Sequence, residues 1–185
     1  LLRPQSIADL PAQHATNPSS KAENRARYFN TGNAFNVILP PVPNAVFADE
    51  PARAMDDDQP TGFIACDASA EMQCDFEATS PLLLASYATI RAGELLEANY
   101  KATGVVHYVM RGSGTLETGG ESLEWSAGDV FVTPGGVTHQ YRAGDATAVI
   151  WGVTNEPHLR FEHLNPPDAG KAPTGVVHYP SDEIT

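Results

Sequence analysis

The strongest constraint on the fold of this chain is the segment between Gly128 and His139, which reads GDVFVTPGGVTH. A Gly-Asp pair is typical of a tight turn, and the apolar run after it is typical of a short buried strand. Pro134 and Gly136 then predict a sharp corner, after which His139 lies on the next strand. Turn, strand, corner and strand in so few residues predict two short β-strands joined by a tight corner.

The sequence from Gly62 onward agrees with a barrel. Short apolar or alternating runs are separated by Gly, Pro and Asp at intervals of roughly 8 to 12 residues, a spacing typical of sandwiches and barrels. The adjacent Gly119 and Gly120 predict a two-residue hairpin. The predicted strands are 63–66, 82–91, 105–111, 114–118, 121–125, 129–133, 138–142 and 146–154.

Three regions are expected along the chain. Residues 1–61 form an N-terminal arm, irregular or short-helical, with an edge strand over 36–39 that ends at Pro40. Residues 62–164 form the β-barrel, and residues 165–185 form an extension that packs on it. The hexapeptide TGVVHY occurs at 103–108 and again at 174–179. Because the flanking residues differ, we interpret this as coincidence and not as a structural repeat.

Composition disfavours two kinds of partner. The formal net charge of −12 and the pI near 4.7 argue against nucleic acid and against an anionic membrane, which would repel the chain. No apolar run approaches the roughly 20 residues that a membrane helix needs. The polar residues near the start, such as Arg3 and Asp9, do not resemble a signal peptide. We therefore expect a cytoplasmic protein, although the first residue is not Met and any leader stays open.

The residues quoted above match the second sequence motif of the cupin superfamily. The first cupin motif is present as a frame, with its intervals kept, at Gly93, Asn99, Lys101, Val105 and Gly112. The tract over residues 106–134 is similar to the cupin domains of the gentisate and 1-hydroxy-2-naphthoate dioxygenase group. This resemblance implies an all-β double-stranded β-helix, the jelly-roll barrel, with a small-molecule pocket inside it.

The resemblance also implies a metal site, which this sequence has largely lost. In the family, three ligands come from the first motif and one His from the second. Here the three positions of the first motif are Asn99, Lys101 and Val105, so only His139 remains. A valine cannot coordinate a metal, and a cationic lysine repels a divalent ion. The expected cofactor is therefore none, or one divalent transition metal (Fe, Mn, Ni or Zn) bound by other residues.

The resemblance to the cupin motifs implies which strand faces line the pocket, and residues two apart share a face. The predicted lining comprises Asn99, Lys101, Val105, His107, His139 and Tyr141, with Arg91 and Trp151 as further candidates for the wall. Two interpretations of His107 stay open. It either joins His139 and Tyr141 in an irregular two-His metal site or is a hydrogen-bonded interior histidine.

Lys101 also has two interpretations. Inside an apolar barrel, desolvation would favour its neutral amine, which can act as a base or nucleophile. At the mouth of the barrel, it would instead pair with Glu94 or Glu97. A cationic Lys101 inside the pocket, together with His139, would suit a carboxylate ligand, and these two are the candidate catalytic residues.

The sequence thus supports several functions. The leading hypothesis is a cupin that binds a small organic acid, either without catalysis or as a metal-independent isomerase or lyase. The alternative is a metal-dependent, dioxygenase-like enzyme that acts on an aromatic or hydroxy acid through His107 and His139. A purely structural barrel is a third hypothesis. The resemblance to cupins and the strand predicted before Pro40 favour a homodimer.

Overall fold

The computed structural model describes residues 13–29 and 42–184. The chain divides into two compact units, residues 1–41 and residues 42–185, which are described separately. The edge strand predicted over residues 36–39 lies outside the described residues. No helix in the described ranges is long and apolar enough to cross a membrane.

In the first unit, the described residues 13–29 form one short helix between two very short strands. Strands β1 (Gln13–His14) and β2 (Arg27–Tyr28) pair antiparallel on either side of helix α1 (Lys21–Arg25). The helix begins after Ser20, whose hydroxyl accepts a hydrogen bond from the Glu23 N–H at 3.1 Å. This side-chain cap satisfies one of the N–H groups that a helix start leaves free.

The second unit is built from strands and three short helices. Its helices are α2 (Asp49–Ala54), α3 (Ser69–Met72) and α4 (Glu156–Phe161). Its strands are β3 (Gly62–Ala65), β4 (Leu84–Ile90), β5 (Leu95–Asn99), β6 (Gly104–Arg111), β7 (Ser113–Thr118), β8 (Glu121–Ser126), β9 (Val130–Pro134), β10 (Thr138–Ala143), β11 (Ala148–Thr154) and β12 (Val177–Tyr179).

These strands form two antiparallel sheets that share one core. The four-stranded sheet has the order β5-β10-β7-β8, and the six-stranded sheet has the order β12-β9-β6-β11-β4-β3. Both sheets contribute side chains to the main hydrophobic cluster, with Leu116 and Tyr141 from the first and Phe131 and Ile150 from the second. Trp125 is buried in the same cluster. The predicted all-β barrel is therefore confirmed.

Helix α2 packs against the six-stranded sheet. Ala54 is fully buried, and its carbonyl accepts a 3.0 Å hydrogen bond from the hydroxyl of Thr89 on β4. Ala54 also belongs to a small apolar cluster with Ile64 and Val149. Residues before Gly62 thus contribute to the packing of the barrel, while the boundary predicted at residues 61 and 62 stays a prediction.

Strand β12 gives the repeated hexapeptide a structural role that the sequence interpretation missed. Val106 and Val177 are both paired with Val132, and the His and Tyr that follow each of them are paired with Phe131 and Val130. The two copies therefore flank β9 on opposite sides in the same register. Because the two copies have the same alternating residues, both pair with β9, although their flanking residues differ.

Two turns require glycine. Gly119 and Gly120 have φ angles of +57° and +85°, so the hairpin predicted between β7 and β8 is confirmed. Gly136, in the corner after β9, has φ of +73°, and a Cβ there would lie 2.2 Å from the carbonyl oxygen of Pro167. The corner of the motif therefore needs both the left-handed backbone and the missing side chain.

Candidate functional site

The interior of the barrel holds a cluster of buried polar rings. His107 on β6 is 2% exposed, and His139 and Tyr141 on β10 are 0% and 1% exposed. The sequence placed all three inside the barrel, and the structure brings them together. Val105, also predicted to face inward, is buried near the same end of β6.

A chain of hydrogen bonds links His107 to Tyr100. The Nε2 of His107 lies 2.8 Å from the hydroxyl of Tyr141, which donates in turn to the Tyr100 oxygen at 3.2 Å. The ring of His107 stacks on Phe131, with 4.4 Å between the ring centroids. These contacts hold the imidazole between a phenol and an apolar ring.

His139 has a hydrogen-bond partner on each ring nitrogen. Its Nδ1 lies 3.0 Å from the carbonyl oxygen of Val137, which can only accept, so Nδ1 carries the proton. Its Nε2 lies 2.8 Å from the hydroxyl of Thr133, which donates to it when the ring is neutral. His139 is thus held as a neutral imidazole by its two partners.

Burial keeps the histidines and tyrosines of this cluster uncharged. It lowers the pKa of His139 to about 4, and burial together with the neighbouring His139 lowers the pKa of His107 to about 3. The Phe131 carbonyl opposes this lowering, although no hydrogen bond of normal geometry reaches the Nδ1 of His107 from the described residues. Burial raises the pKa of Tyr100 to about 12. Burial and the neighbouring Tyr100 also raise the pKa of Tyr141.

The cluster does not fit the mononuclear metal site that cupins imply. The His107 and His139 ring centroids are 6.4 Å apart, and the Nε2 of each ring is engaged by a hydroxyl group. Within the described ranges, no group of three His, Cys, Asp or Glu side chains is arranged to hold a metal ion. Two histidines alone do not supply the third protein ligand that such metal sites usually have.

The prediction that Asn99 and Lys101 face the interior of the barrel is wrong, although Asn99 is among the residues that line a surface cleft. Both are exposed. On the ladder between β5 and β10, Ala98 is paired with His139 and Asn99 with Thr138. Because paired residues lie on the same side of a sheet, Ala98 faces inward and Asn99 outward. Strand β5 ends at Asn99, so its alternation cannot be extended to Val105 on another sheet.

The prediction that Arg91 and Trp151 form part of the pocket wall is also wrong. The guanidinium of Arg91 donates to the carbonyl oxygens of Asp58 and Gln59, at 2.7 and 3.1 Å, and so fixes the loop before β3. Trp151 is paired with Tyr108, the neighbour of the inward-facing His107, and therefore lies on the outer face of the six-stranded sheet.

A cleft of about 300 Å³ lies beside Tyr100. Phe63 and Tyr100 form aromatic walls, with ring centroids 6.3 Å apart and planes at 78°. The lining residues are Phe63, Ala65, Glu77, Leu84, Ser86, Glu97, Ala98, Asn99, Tyr100, Thr154 and Glu156. We refer to this site as the Tyr100 cleft. Through Tyr100, it is joined to the buried His–Tyr cluster.

The sequence reasoning missed Phe63, Tyr100 and Glu156 as site residues. A signal for Tyr100 was available, because Leu96, Ala98 and Tyr100 are the less polar set in β5 and its extension. The predicted site followed the motif frame instead of this alternation. Phe63 and Glu156 lie far from Tyr100 in sequence, and no local pattern joins them.

Comparison with known proteins identifies the domain. A family model described as "Cupin domain" matches residues 87–154. Residues 87–154 are a cupin domain. The match includes β5 and β10, which carry Tyr100, His139 and Tyr141 at or near their ends, and β6, which carries His107. The buried cluster therefore lies within the cupin domain.

Two proteins named as dioxygenases are similar to this chain. It is 33% identical over 82 residues to the 5-aminosalicylate 1,2-dioxygenase of Comamonas sp., an alignment that covers 44% of this chain and 22% of that protein. Its fold is similar to that of the salicylate 1,2-dioxygenase of Pseudoaminobacter salicylatoxidans, solved as adducts with gentisate. The TM-score is 0.51 at 20% identity, covering 64% of this chain and 35% of the other. The chain thus spans about a fifth to a third of the length of these relatives.

Proposed function

We propose that this cupin binds a small aromatic compound in the Tyr100 cleft. It acts as a binding module, without a metal of its own, for a dioxygenase that converts aromatic compounds. The observation that carries the proposal is the junction at Tyr100, whose ring lines the cleft and whose hydroxyl ends the hydrogen-bonded chain from His107. The relatives named for aminosalicylate and salicylate support an aromatic ligand.

The dimensions of the cleft suit a single ring. Its volume of about 300 Å³ is at the lower end of the range for small-molecule sites. An aromatic ligand would add its ring to the edge-to-face pair of Phe63 and Tyr100, an arrangement that aromatic groups favour. Ser86 and Thr154 add neutral hydrogen-bonding groups to the lining.

The buried cluster supports binding better than acid–base catalysis. A histidine with a pKa near 3 or 4 is a weak base at neutral pH, and a tyrosine with a pKa near 12 is a weak acid. Neutral imidazoles and phenols instead form fixed hydrogen bonds that hold Tyr100 in one position. The cluster would thus fix the position of Tyr100, which is one wall of the cleft.

The similarity to 5-aminosalicylate 1,2-dioxygenase favours a second candidate function, a metal-dependent dioxygenase that uses His107 and His139. For this function, the two rings would have to release their hydrogen bonds to Tyr141 and Thr133 and gain a third ligand. Near-stoichiometric iron, manganese, nickel or zinc in the purified protein, lost in His139→Ala, would establish this candidate. Metal far below one ion per chain would reject it.

The binding proposal is tested by calorimetry with benzyl alcohol, catechol and phenol. Binding is expected for the native protein and for Phe161→Ala, which truncates an aromatic side chain that is 71% exposed and outside the cleft. Binding should be lost in Phe63→Ala, which removes one wall. Absence of binding for all three probes, or equal binding by both variants, would overturn the proposal.

A further inference from the structure

We propose that the Tyr100 cleft selects aromatic compounds that carry a positively charged amine over aromatic carboxylates. This inference rests on the proposed function, because it specifies the ligand class of the same cleft. It combines two independent features of the lining, its aromatic walls and its uniform charge. It also differs from the expectation, based on Lys101, that the pocket holds an organic acid.

Three elements bring carboxylates to the cleft. Glu77 lies in the segment before β4, Glu97 on β5 and Glu156 at the start of α4. Two of the carboxylates are held by hydrogen bonds. Glu97 accepts from the side-chain amide of Gln140 at 3.3 Å, and Glu156 accepts from the backbone N–H of Lys101. Both hydrogen bonds are exposed, and Glu97 lies on the outer face of β5 beside Gln140, so these side chains contribute negative charge at the rim of the cleft.

No cationic side chain is among the lining residues that the structure describes. Lys101 follows Tyr100 in the sequence and is exposed, but it is not one of the lining residues. Two arginines of neighbouring segments are engaged elsewhere. Arg91 donates to backbone carbonyls of the loop before β3, and the guanidinium of Arg160 lies 5.9 Å from the centroid of the Phe76 ring. A ligand carboxylate in the cleft would lie near three glutamates with no cation among the lining residues, which is unfavourable when water is partly excluded.

The aromatic walls favour a cation for a second reason. The faces of aromatic rings attract ammonium groups, and Phe63 and Tyr100 both contribute rings to the lining. The negative charge of Glu156 also acts on Tyr100, where it adds to the effect of burial in raising the pKa of this tyrosine. A protonated amine would therefore meet an aromatic face and a negative potential in one place.

Three probes of nearly the same shape separate charge from shape. Benzylamine is protonated at neutral pH, benzyl alcohol is neutral and benzoate is an anion. By calorimetry at low salt, benzylamine should bind roughly tenfold more tightly than benzyl alcohol, as expected for one charge-assisted hydrogen bond. Benzoate should bind more weakly than benzyl alcohol. The preference for benzylamine should shrink at high salt.

Variants of the same shape show which carboxylates cause the preference for benzylamine. Glu77→Gln and Glu97→Gln should each reduce the preference for benzylamine several-fold while leaving the affinity for benzyl alcohol nearly unchanged. Glu162→Gln, which alters an exposed carboxylate outside the cleft, should leave both values unchanged. These single-atom replacements keep the shape of each side chain, so any change reports charge.

The outcomes distinguish this inference from the proposed function. If benzyl alcohol binds and benzylamine binds no better, or if benzoate binds best, the charge selection is overturned and the aromatic cleft stands. If benzylamine, benzyl alcohol and benzoate all fail to bind, the charge selection fails, and the proposed function fails with it if catechol and phenol do not bind either. A benzylamine preference that persists unchanged in Glu77→Gln and Glu97→Gln would also overturn the selection by these carboxylates.

Discussion

The Nε2 of His107 lies 2.8 Å from the hydroxyl of Tyr141, across the barrel between its two sheets. His107 belongs to the six-stranded sheet and Tyr141 to the four-stranded one, and both are buried. A polar contact in this position joins the two layers and fixes their relative placement. Removing only one partner of such a buried hydrogen bond lowers the stability of the protein, because the other partner is left unsatisfied.

Replacing Tyr141 with Phe should therefore destabilise the protein. The change keeps the ring but leaves the Nε2 of His107 without its partner, so the free energy of unfolding should fall by about 1–3 kcal/mol. Tyr108→Phe is the matched control, because Tyr108 is 43% exposed and the change should stay within about 0.5 kcal/mol. Urea denaturation measures both; equal effects would contradict the role of this hydrogen bond.

The two buried histidines should make stability depend on pH. Their pKa values fall from 6.5 to about 3 for His107 and about 4 for His139. Below pH 6.5, the unfolded chain therefore binds protons that the folded chain does not. The free energy of unfolding should decrease as the pH falls from about 6.5 toward 4, by up to about 1.4 kcal/mol per pH unit for each histidine.

Denaturation series at pH 7, 6, 5 and 4.5 measure this slope. His139→Gln should give a shallower slope than the native protein, whatever its stability at pH 7. His163→Gln, which replaces an exposed histidine, is the control and should keep the native slope. A slope that is unchanged in His139→Gln would contradict the assignment.

The corner glycine of the second motif should tolerate no side chain. Gly136 and Gly170 have similar φ angles, +73° and +76°, but only Gly136 has a backbone oxygen 2.2 Å from the Cβ position. Gly170→Ala should cost about 1–2 kcal/mol through its left-handed backbone. Gly136→Ala should cost at least about 2 kcal/mol more, because the carbonyl of Pro167 must move. Equal melting temperatures for the two variants would refute this explanation.

Asp129 should fasten the C-terminal segment to the barrel. Burial alone would raise its pKa, but the N–H groups of Ser126 and Ser181 and the imidazole of His178 together lower it. The lowered pKa means that this stabilisation is present above the ordinary pKa of an aspartate and is lost as the pH falls through the folded value.

Asp129→Ala should therefore loosen β12 before the rest of the barrel. Hydrogen exchange of the amides over Val177–Tyr179 should become faster, with about 1–3 kcal/mol lost from the global stability. Asp182→Ala, an exposed aspartate in the same segment, should leave this exchange unchanged. Faster exchange in Asp182→Ala, or none in Asp129→Ala, would be the contrary result.

The sequence predicted the barrel because its signals are local. Turns such as Gly119-Gly120 and the motif corner at Gly136 mark where strands end, and the runs between them follow a period of two. The interior positions of His107, His139 and Tyr141 followed from the motif frame together with the same alternation. These features need no knowledge of which strands become neighbours.

The errors arose where strand pairing decides the outcome. The orientation of β5 depends on the pairing of Ala98 with His139, and the motif frame placed Asn99 inward instead. The Tyr100 cleft joins Phe63, Tyr100 and Glu156 from distant parts of the chain. Strand β12 was missed because it forms only by adding to β9, a contact across more than forty residues.

The repeated Val-His-Tyr segments on the two sides of β9 carry one further consequence. The copy in β6 is covered by a neighbour on each side, whereas the copy in β12 lies at the open margin of its sheet. Each edge of β9 pairs with the same three residues, Val-His-Tyr. The register of β12 on β9 is thus set by the same alternation that sets the register of β6.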